Sequence, residues 1–350
     1  MAVTVFRDET ADLLKKRLLE IYARKNPPEC DKFHKLLKKV NKTLSGEDPD
    51  QRPRDASGRP GGVIYLIPDA TTIIVPDIHA RMELVLNVLL YEDRHGRSNL
   101  DKLSLGQLQV VCLGDGVHAE GRAAERWALA LEEFKEDFAT HEHMDEEMRE
   151  SFGVMEMVME TKSSFPTTFH FLKGNHENIR NETGSGNFAY RKYAYEGAMV
   201  HRHVQIFYSK AFIEQYVVFE KNLPLLAIGN NFLISHAEPY TFFDHRQVVE
   251  YRNNPEVVKG MTWTDNDMAE DGSVQRMIGH YLGEEQIGQS YYFAGHRAIS
   301  GRYRYKAESG FVQLHNPKKS IIAVIKPNEK IDLDIDIIEI SDRFEANRHQ

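Results

Sequence analysis

Cysteine is nearly absent from this 350-residue sequence. There are two, Cys30 in a charged segment and Cys112 inside an apolar run. A disulfide framework is therefore not expected, and a reducing compartment, the cytoplasm, fits. No apolar run approaches the roughly 20 residues needed to cross a bilayer, so no membrane partner is expected. The N-terminus carries no signal-peptide core. An excess of positive charge is also missing. The net charge of −9 leaves no electrostatic footprint for nucleic acid. There is no internal repeat and no low-complexity tract. What is present is an ordinary apolar share, 41 %, enough for one large α/β domain or two smaller ones. Sixteen histidines are on the rich side, and only their positions can give them meaning.

Residues 1–46 read as two helices. Leu13, Leu14, Leu18, Leu19 and Tyr22 recur at helical spacing, Asn26-Pro27-Pro28 breaks the pattern, and a second helix runs from about 31 to 44. Residues 45–62 are rich in Gly, Pro, Asp and Arg and read as a linker. The expected organisation is a helical N-terminal extension and linker over 1–60 and one domain over 61–345. A chain starting near Gly61 is expected to fold alone. Within that domain, β-branched runs at 63–67 and 72–75 read as a hairpin across 68–71, followed by a helix at 81–91 and a strand at 109–113. A helical insertion spans about 119–165. Its middle, 140–150, is heavily charged, and His141 and His143 read as part of a solvated face. Helical segments are expected from about 188 and at 208–221. Strands are expected at 168–172, 225–228, 231–235, 291–294, 302–306, 310–314, 320–325 and 335–340.

The chemistry lies where apolar runs end, the place where α/β proteins carry their binding and catalytic groups. The run at 168–172 ends in Leu172-Lys173-Gly174-Asn175-His176-Glu177, and Gly174 is expected to turn the backbone sharply. Asn175 offers a neutral oxygen to a cation, and His176 offers a proton near neutral pH. The run at 72–75 ends in Pro76-Asp77-Ile78-His79. Positions i and i+2 of a strand-like exit point the same way, so Asp77 and His79 converge. The run at 109–113 ends in Gly114-Asp115, that at 231–235 in His236, and that at 291–294 in Gly295-His296. A polar cap on a strand end explains any one of these stretches, but not five. Oxygen and imidazole ligands without cysteine suit divalent or trivalent Mn, Fe or Zn better than a structural zinc. One carboxylate common to two ions would hold them about 3.5–4 Å apart.

Taken in order, Asp-x-His, Gly-Asp, Gly-Asn-His-Glu, a lone His and Gly-His, the set resembles the calcineurin-like metallophosphoesterases. More narrowly it resembles their phosphoprotein phosphatase branch, of Ser/Thr phosphatase type. LKGNHENIR at 172–180 is similar to that branch's L-R-G-N-H-E-x-R run. LPLLAIGNNFLISHAEP at 223–239 is similar to its L-P-L-x-A…H-G-G-x-x-P run, and MTWTD at 261–265 to its L-x-W-S-D. The resemblance covers roughly residues 63–325. It leaves out 1–60, and the 119–165 insertion is longer than usual for the branch. It implies an α/β (α+β) fold: a four-layer αββα sandwich of two mixed sheets flanked by helices, with a dinuclear metal site at strand ends. It also implies a hydrolase that cleaves phosphomonoesters, phosphoserine and phosphothreonine proteins among them, by attack of a metal-bridging hydroxide. Two ions are implied, Asp77, His79 and Asp115 on the first, Asp115 bridging, and Asn175, His236 and His296 completing the second. His176 is implied as the general acid. Many metallophosphoesterases read Gly-His-x-His where this chain has Ala298. The phosphatase branch also lacks that second His, which leaves a position open to water.

Two departures stand out. The family writes Gly-Asp-x-x-Asp-Arg-Gly, where the second Asp orients the general-acid His and the Arg grips phosphate. Here the stretch is Gly114-Asp115-Gly116-Val117-His118-Ala119, so His118 stands for the orienting acid and Ala119 for the Arg. Arg122, Arg180 and Arg297 are the candidate phosphate grips, with Arg276 a further one. The second departure is His236-Ala237-Glu238 in place of His-Gly-Gly. Glu238 puts an acid near the site, which disfavours highly anionic substrates or demands a basic partner. The partner expected is a phosphoprotein or a small phosphoester. Two rival readings stay open: a hydrolase of nucleotides or diadenosine polyphosphates, and a degenerate phosphatase-like protein that binds without turnover.

Overall fold

The computed structural model describes residues 9–344. Helices α1 (Glu9–Ala23) and α2 (Cys30–Ser45) lead to β1 (Val63–Tyr65), β2 (Thr71–Val75), α3 (Met82–Leu89), α4 (Asn99–Ser104) and β3 (Leu108–Cys112). Then come α5 (Ala124–Lys135), α6 (Glu142–Ser164), β4 (Phe169–Phe171), α7 (Glu196–Phe207) and α8 (Lys210–Lys221). The chain continues through β5 (Leu226–Ile228), β6 (Phe232–Ser235), α9 (His245–Val249), α10 (Pro255–Thr262) and α11 (Ser273–Leu282). It closes with β7 (Tyr291–Ala294), β8 (Arg304–Lys306), β9 (Phe311–Gln313), β10 (Ile321–Ile325), α12 (Leu333–Asp336) and β11 (Ile337–Glu339).

Strand alternation builds the layers. Six strands form one sheet in the order β1-β5-β6-β7-β9-β8, and five form the other in the order β11-β10-β2-β3-β4. Both are mixed. β2 runs parallel to β3 and antiparallel to β10, and β6 runs antiparallel to β5 and parallel to β7. Val111 and Leu113 pack in one apolar cluster with Ile64, Ile234 and Phe293, which fills the space between the sheets. Val110 and Cys112 point the other way, into a cluster with α1 to α8. Val63, Leu226 and Tyr292 leave the six-stranded sheet toward α9, α10 and α11. The order is helix, sheet, sheet, helix, the sandwich expected from the sequence.

Two local expectations fail. The runs at 63–67 and 72–75 do not form a hairpin: β1 pairs with β5 in one sheet, and β2 with β3 and β10 in the other. Both runs are apolar on both faces, and a strand of that kind needs cover on each side, which a hairpin alone does not give. Pro68-Asp69-Ala70 therefore crosses the sandwich instead of turning back. The helix expected from 188 starts only at Glu196, and 188–195 is irregular. Cys30 and Cys112 are separate thiols.

The N-terminal helices share a core with the rest. Phe33, Leu37, Val40 and Leu44 on α2 form a buried stripe at helical spacing, and Leu14, Leu18 and Ile21 do the same on α1. They pack in one cluster with Met148, Phe152, Met155 and Met159 of α6. The Phe33 ring lies 5.2 Å from that of Phe152 and 5.3 Å from that of Phe212. The 45–62 segment is fastened as well. Arg52 is fully buried and its Nε donates to Gly61 O at 2.8 Å. The Glu47 carboxylate sits between Arg52 Nη1 at 2.5 Å and Lys162 Nζ at 2.6 Å. Burial pushes that carboxyl up, but the two cations outweigh it and hold it at about 2. Removing one member of a buried ion cluster leaves uncompensated charge, at a cost of about 3–5 kcal/mol. Glu47→Gln should lower the unfolding free energy by that amount in urea melts. A chain starting at Gly61 should be insoluble on expression, because the apolar faces of α6 and α8 lose their cover. Soluble, folded protein from that truncation would support a boundary near residue 60.

Candidate dinuclear metal centre

All of the strand-end residues converge at one edge of the sandwich. Asp77 follows β2, Asp115 follows β3, Asn175 and His176 follow β4, His236 follows β6 and His296 follows β7. Each is at most 8 % exposed. Asp115 lies at the centre. Its Oδ2 is 3.8 Å from His79 Nε2, 3.5 Å from His236 Nε2 and 3.7 Å from His176 Nε2. Its Oδ1 accepts from the His176 backbone N–H at 2.9 Å. His79, Asp115, His118 and His296 adopt left-handed backbone conformations, at φ 44, 49, 64 and 65°. Such strain in non-glycine residues persists where the surroundings fix it, as they do at functional sites.

Glycine makes room for the acids. A Cβ on Gly174 would come within 2.2 Å of Asp115 Oδ1, and one on Gly295 would meet Asp77 Oδ1 at 1.9 Å. Gly174 is thus required for close approach, and the backbone turns directly after it, at 175–176. Glu177 ties the same loops together. Its carboxylate accepts from the backbone N–H groups of Gly174, Asp115 and Gly116 at 2.7, 2.9 and 2.9 Å.

The donor set fits cations. His79 Nδ1 faces the His118 carbonyl at 3.1 Å, and His236 Nδ1 faces the Leu113 carbonyl at 3.0 Å. A carbonyl only accepts, so the hydrogen sits on Nδ1 and each Nε2 lone pair is free. His236 Nε2, Asn175 Oδ1 and His296 Nδ1 stand 2.9–3.3 Å apart. Neighbouring ligands of an ion with bonds of about 2.1 Å stand about 3 Å apart. Burial pushes the His79 imidazole down to about 3 and that of His236 to about 4, which keeps both in the neutral, ligating form. Burial pushes Asp115 up to about 8, and burial with the neighbouring Asp115 and Glu120 carboxylates raises Asp77 well above its usual range. Neither oxygen of Asp77 meets a donor among the described residues. A cation would offset both carboxylates.

His176 and His118 meet directly, Nδ1 to Nδ1 at 2.9 Å. Two neutral imidazoles make one bond, in which one donates and the other accepts. His118 is held from behind by α6. Its N–H donates to Ser151 Oγ at 3.0 Å, and Glu147 Oε1 accepts from Ser151 Oγ at 2.8 Å and from the Ala119 N–H at 3.0 Å. Tyr190 lies over the pair, its ring centroid 3.7 Å from that of His176 and 5.4 Å from that of His118.

The candidate arginines are dispersed. Arg122 Nη2 bonds Ala80 O at 3.0 Å and Glu150 Oε2 at 2.8 Å, at the rim of a cleft of about 1100 Å³ that has His79 and Glu120 on its wall. Arg297 is exposed beside His296 and pairs with Asp265. Arg180 lines a different cavity, with Arg59, Lys173 and Arg252. Arg276 is exposed and pairs with Glu270 at 3.4 Å. The acid Glu238 has a basic partner within the chain, Lys306, at 2.8 Å. Three residues were not anticipated. Tyr190 comes from the irregular 188–195 segment, which carries no pattern. Glu120 bonds His315 and Lys192 at 2.9 Å each. His315 directly follows the apolar run at 310–314, so the strand-end rule that found His236 applies to it equally. His141 and His203 flank Asp145 at 2.8 Å each on the α6–α7 side, so His141 is paired and not simply solvated.

No family model and no curated protein matches the sequence. Solved structures do. A protein serine/threonine phosphatase from Saccharomyces cerevisiae, described as similar to human phosphatase PP5, superposes with a TM-score of 0.56 at 12 % identity, over 94 % of each chain. A cold-active protein-tyrosine phosphatase of a psychrophilic Shewanella species gives 0.44 at 13 % identity, over 79 % of this chain and 83 % of that one. A putative diadenosine tetraphosphatase gives 0.37 at 14 % identity, over 80 % and 97 %. The first of these carries the argument, and it concerns the fold. The chain has the fold of that serine/threonine phosphatase: two mixed sheets face to face with helices outside.

Two substitutions test the centre. Asp115→Asn should lose metal at both positions, leaving well under two ions per chain by plasma mass spectrometry. Retention of two would remove the bridging role. Gly295→Ala should displace Asp77 and weaken metal retention while the circular dichroism spectrum stays that of the wild type.

Proposed function

With the metallophosphoesterase fold as the premise, we propose that the chain is a metal-dependent phosphomonoesterase that acts on phosphoserine and phosphothreonine in proteins. The observation that carries this is the convergence of Asp77, His79, Asp115, Asn175, His236 and His296 around Asp115, with their lone pairs directed inward. Asp77, His79 and Asp115 would hold one ion, and Asp115, Asn175, His236 and His296 a second. The donor set suits Mn, Fe or Zn. Two ions bound there would neutralise phosphoryl charge and make water a stronger nucleophile near neutral pH. The protein's own task is then mainly positioning.

His176 would give a proton to the leaving oxygen. Its Nδ1 is engaged by His118 and its Nε2 faces the centre, 3.7 Å from Asp115 Oδ2. The partner is neutral where the family has a carboxylate, so it fixes the ring without adding negative charge. The phosphate grip is the second difference. Ala119 offers none, and Arg122 is shared with Glu150. The cations of the cleft wall are spread along it: Lys192 pairs with Glu120, Lys319 pairs with Glu339 at 2.7 Å, and Lys318 lies beside Lys319. A cleft of about 1100 Å³ exceeds what one phosphate group needs, and pockets for compact ligands run to about 1,000 Å³. That favours an extended phosphopeptide. The same size, with Tyr193 on the wall, also accommodates a diadenosine polyphosphate, which is the second reading. A cytoplasmic location is part of the proposal and rests on the two unpaired cysteines. Among the described residues no helix is long and apolar enough to cross a membrane.

The test is hydrolysis of a phosphoserine peptide, p-nitrophenyl phosphate, its bis ester and diadenosine tetraphosphate by metal-loaded protein. The phosphopeptide should be the better physiological-type substrate, and preference for the polyphosphate would move the assignment to the second reading. No turnover of any of them with two ions bound would support a binding protein. General-acid assistance is worth ~10²–10⁴-fold in rate. His176→Asn should therefore lose activity in that range on phosphoserine and much less on p-nitrophenyl phosphate, whose leaving group scarcely needs a proton. His118→Asp should accelerate phosphoserine hydrolysis more than p-nitrophenyl phosphate hydrolysis. Equal effects on both substrates would give His118 another role.

A further inference from the structure

His315 lies two residues beyond β9 and is 1 % exposed. Its Nε2 is 2.9 Å from Glu120 Oε2. A carboxylate only accepts, so Nε2 carries the hydrogen and Nδ1 carries the lone pair. That Nδ1 has no hydrogen-bond partner and lies 3.8 Å from Asp77 Oδ2, which has none either. Two unpartnered lone-pair atoms buried this close are costly unless something electropositive lies between them. His79 Nε2, also a free lone pair, stands 4.0 Å from the same Asp77 oxygen. The ligating atoms of Asp77, His79 and His315 all lie within 4.8 Å of one another. Around an ion with bonds of about 2.1 Å, ligand atoms stand between about 3 Å and about 4.2 Å apart.

Glu120 is placed to orient the imidazole. Its Oε2 accepts from His315, and its Oε1 accepts from Lys192 Nζ at 2.9 Å. With both oxygens engaged, it has the arrangement of the carboxylates that fix a ligating histidine's tautomer and ring direction.

We propose that His315, oriented by Glu120, is a protein ligand of the first ion, which is then held by Asp77, His79, Asp115 and His315. The assignment rests on the metal-dependent reading above. Ala298 leaves a ligand position unfilled in the sequence motif, and His315 fills it from a different strand end. The ion at this position gains a second imidazole, which moves its preference from Mn toward Zn or Fe.

The experiment reads metal binding directly. Wild type, His315→Ala, His315→Gln and Glu120→Gln are stripped, shown folded by circular dichroism, and titrated with Zn against a fluorescent chelator. Wild type should bind two ions. The His315 variants should keep one with unchanged affinity and bind the other about 10–100-fold more weakly, and Glu120→Gln should weaken the same step by a smaller factor. In ¹⁵N-histidine-labelled wild type, assigned through the backbone, His315 should appear as the Nε2–H tautomer in the apo protein. Its Nδ1 signal should shift on adding Zn. Two ions bound with unchanged affinity in both His315 variants, or an Nδ1 signal unmoved by saturating Zn, overturns the proposal. The wild-type spectrum decides it even where a variant fails to fold. Failure of the phosphoesterase reading looks different: two ions bound, His315 shifted, and no phosphoester hydrolysed.

Discussion

Two carboxylates buried side by side, Asp77 and Asp115, set the terms for the rest of the structure. No lysine or arginine side chain among the described residues pairs with either one; Arg81 Nη2 bonds the Asp77 backbone carbonyl at 2.8 Å instead. Like charges at low dielectric raise each other's proton affinity, and only a cation or a proton relieves them. The surrounding loops keep the acids ionisable and close. Gly174 and Gly295 withhold the Cβ atoms that would strike their oxygens. Glu177 spends its carboxylate on three backbone N–H groups and so locks the loop after β3 to the loop after β4. Histidines at 79 and 236 give their Nδ1 hydrogens to main-chain carbonyls and turn their lone pairs inward. Each device is local, but all serve the same point at the edge of both sheets.

This concentration explains what was legible in the sequence. Metal-ligand candidates were found because each follows an apolar run, and a run of four or five buried residues marks a strand whose end is a fixed place in the sandwich. The order of the runs is what carries the resemblance to a known family. Which sheet a strand joins was not legible. Residues 63–75 look like a hairpin because alternation and turn residues are local signals, whereas β1 and β2 are claimed by partners more than thirty residues away. The steric demand that Asp115 makes on Gly174 leaves no trace in the sequence near residue 174. His315 is within reach of the same rule, since it directly follows the apolar run at 310–314 and precedes Asn316. Tyr190 was beyond reach. It acts from an irregular segment, and only the fold brings its ring over His176.

The charged stretch at 140–150 carries the larger lesson about insertions. Charge in a helix usually marks a solvated face, but Glu147 and Glu150 are 0 % and 1 % exposed. They are buried because they have partners: Arg126 for both, Arg122 for Glu150, and for Glu147 the Ser151 hydroxyl and the Ala119 N–H. Helix α6 is apolar along one stripe, where it meets α1 and α2, and acidic where it meets the loop after β3. The N-terminal helices, the insertion and the His118 turn are therefore one packing unit.

That unit bears on the departure at positions 118 and 119. The resembled motif has an Asp and an Arg at these positions. Here the left-handed His118 and the neighbouring Ala119 are held by their backbones: Ser151 and Glu147 take their N–H groups, and Trp127 Nε1 donates to Ala119 O at 2.7 Å. An Arg side chain at 119 would have to fit a position that is 2 % exposed and closed off by α6 and Trp127. Helix α6 and Trp127 thus occupy the space that a long side chain at 119 would need. The cations of the cleft lie on its other side, where Lys192 is anchored by Glu120, Lys318 borders the opening and Lys319 pairs with Glu339. Glu120 stands at the junction of these two parts. One oxygen holds Lys192 at the cleft and the other holds His315 toward Asp77, so a cleft cation and a buried imidazole share a single carboxylate.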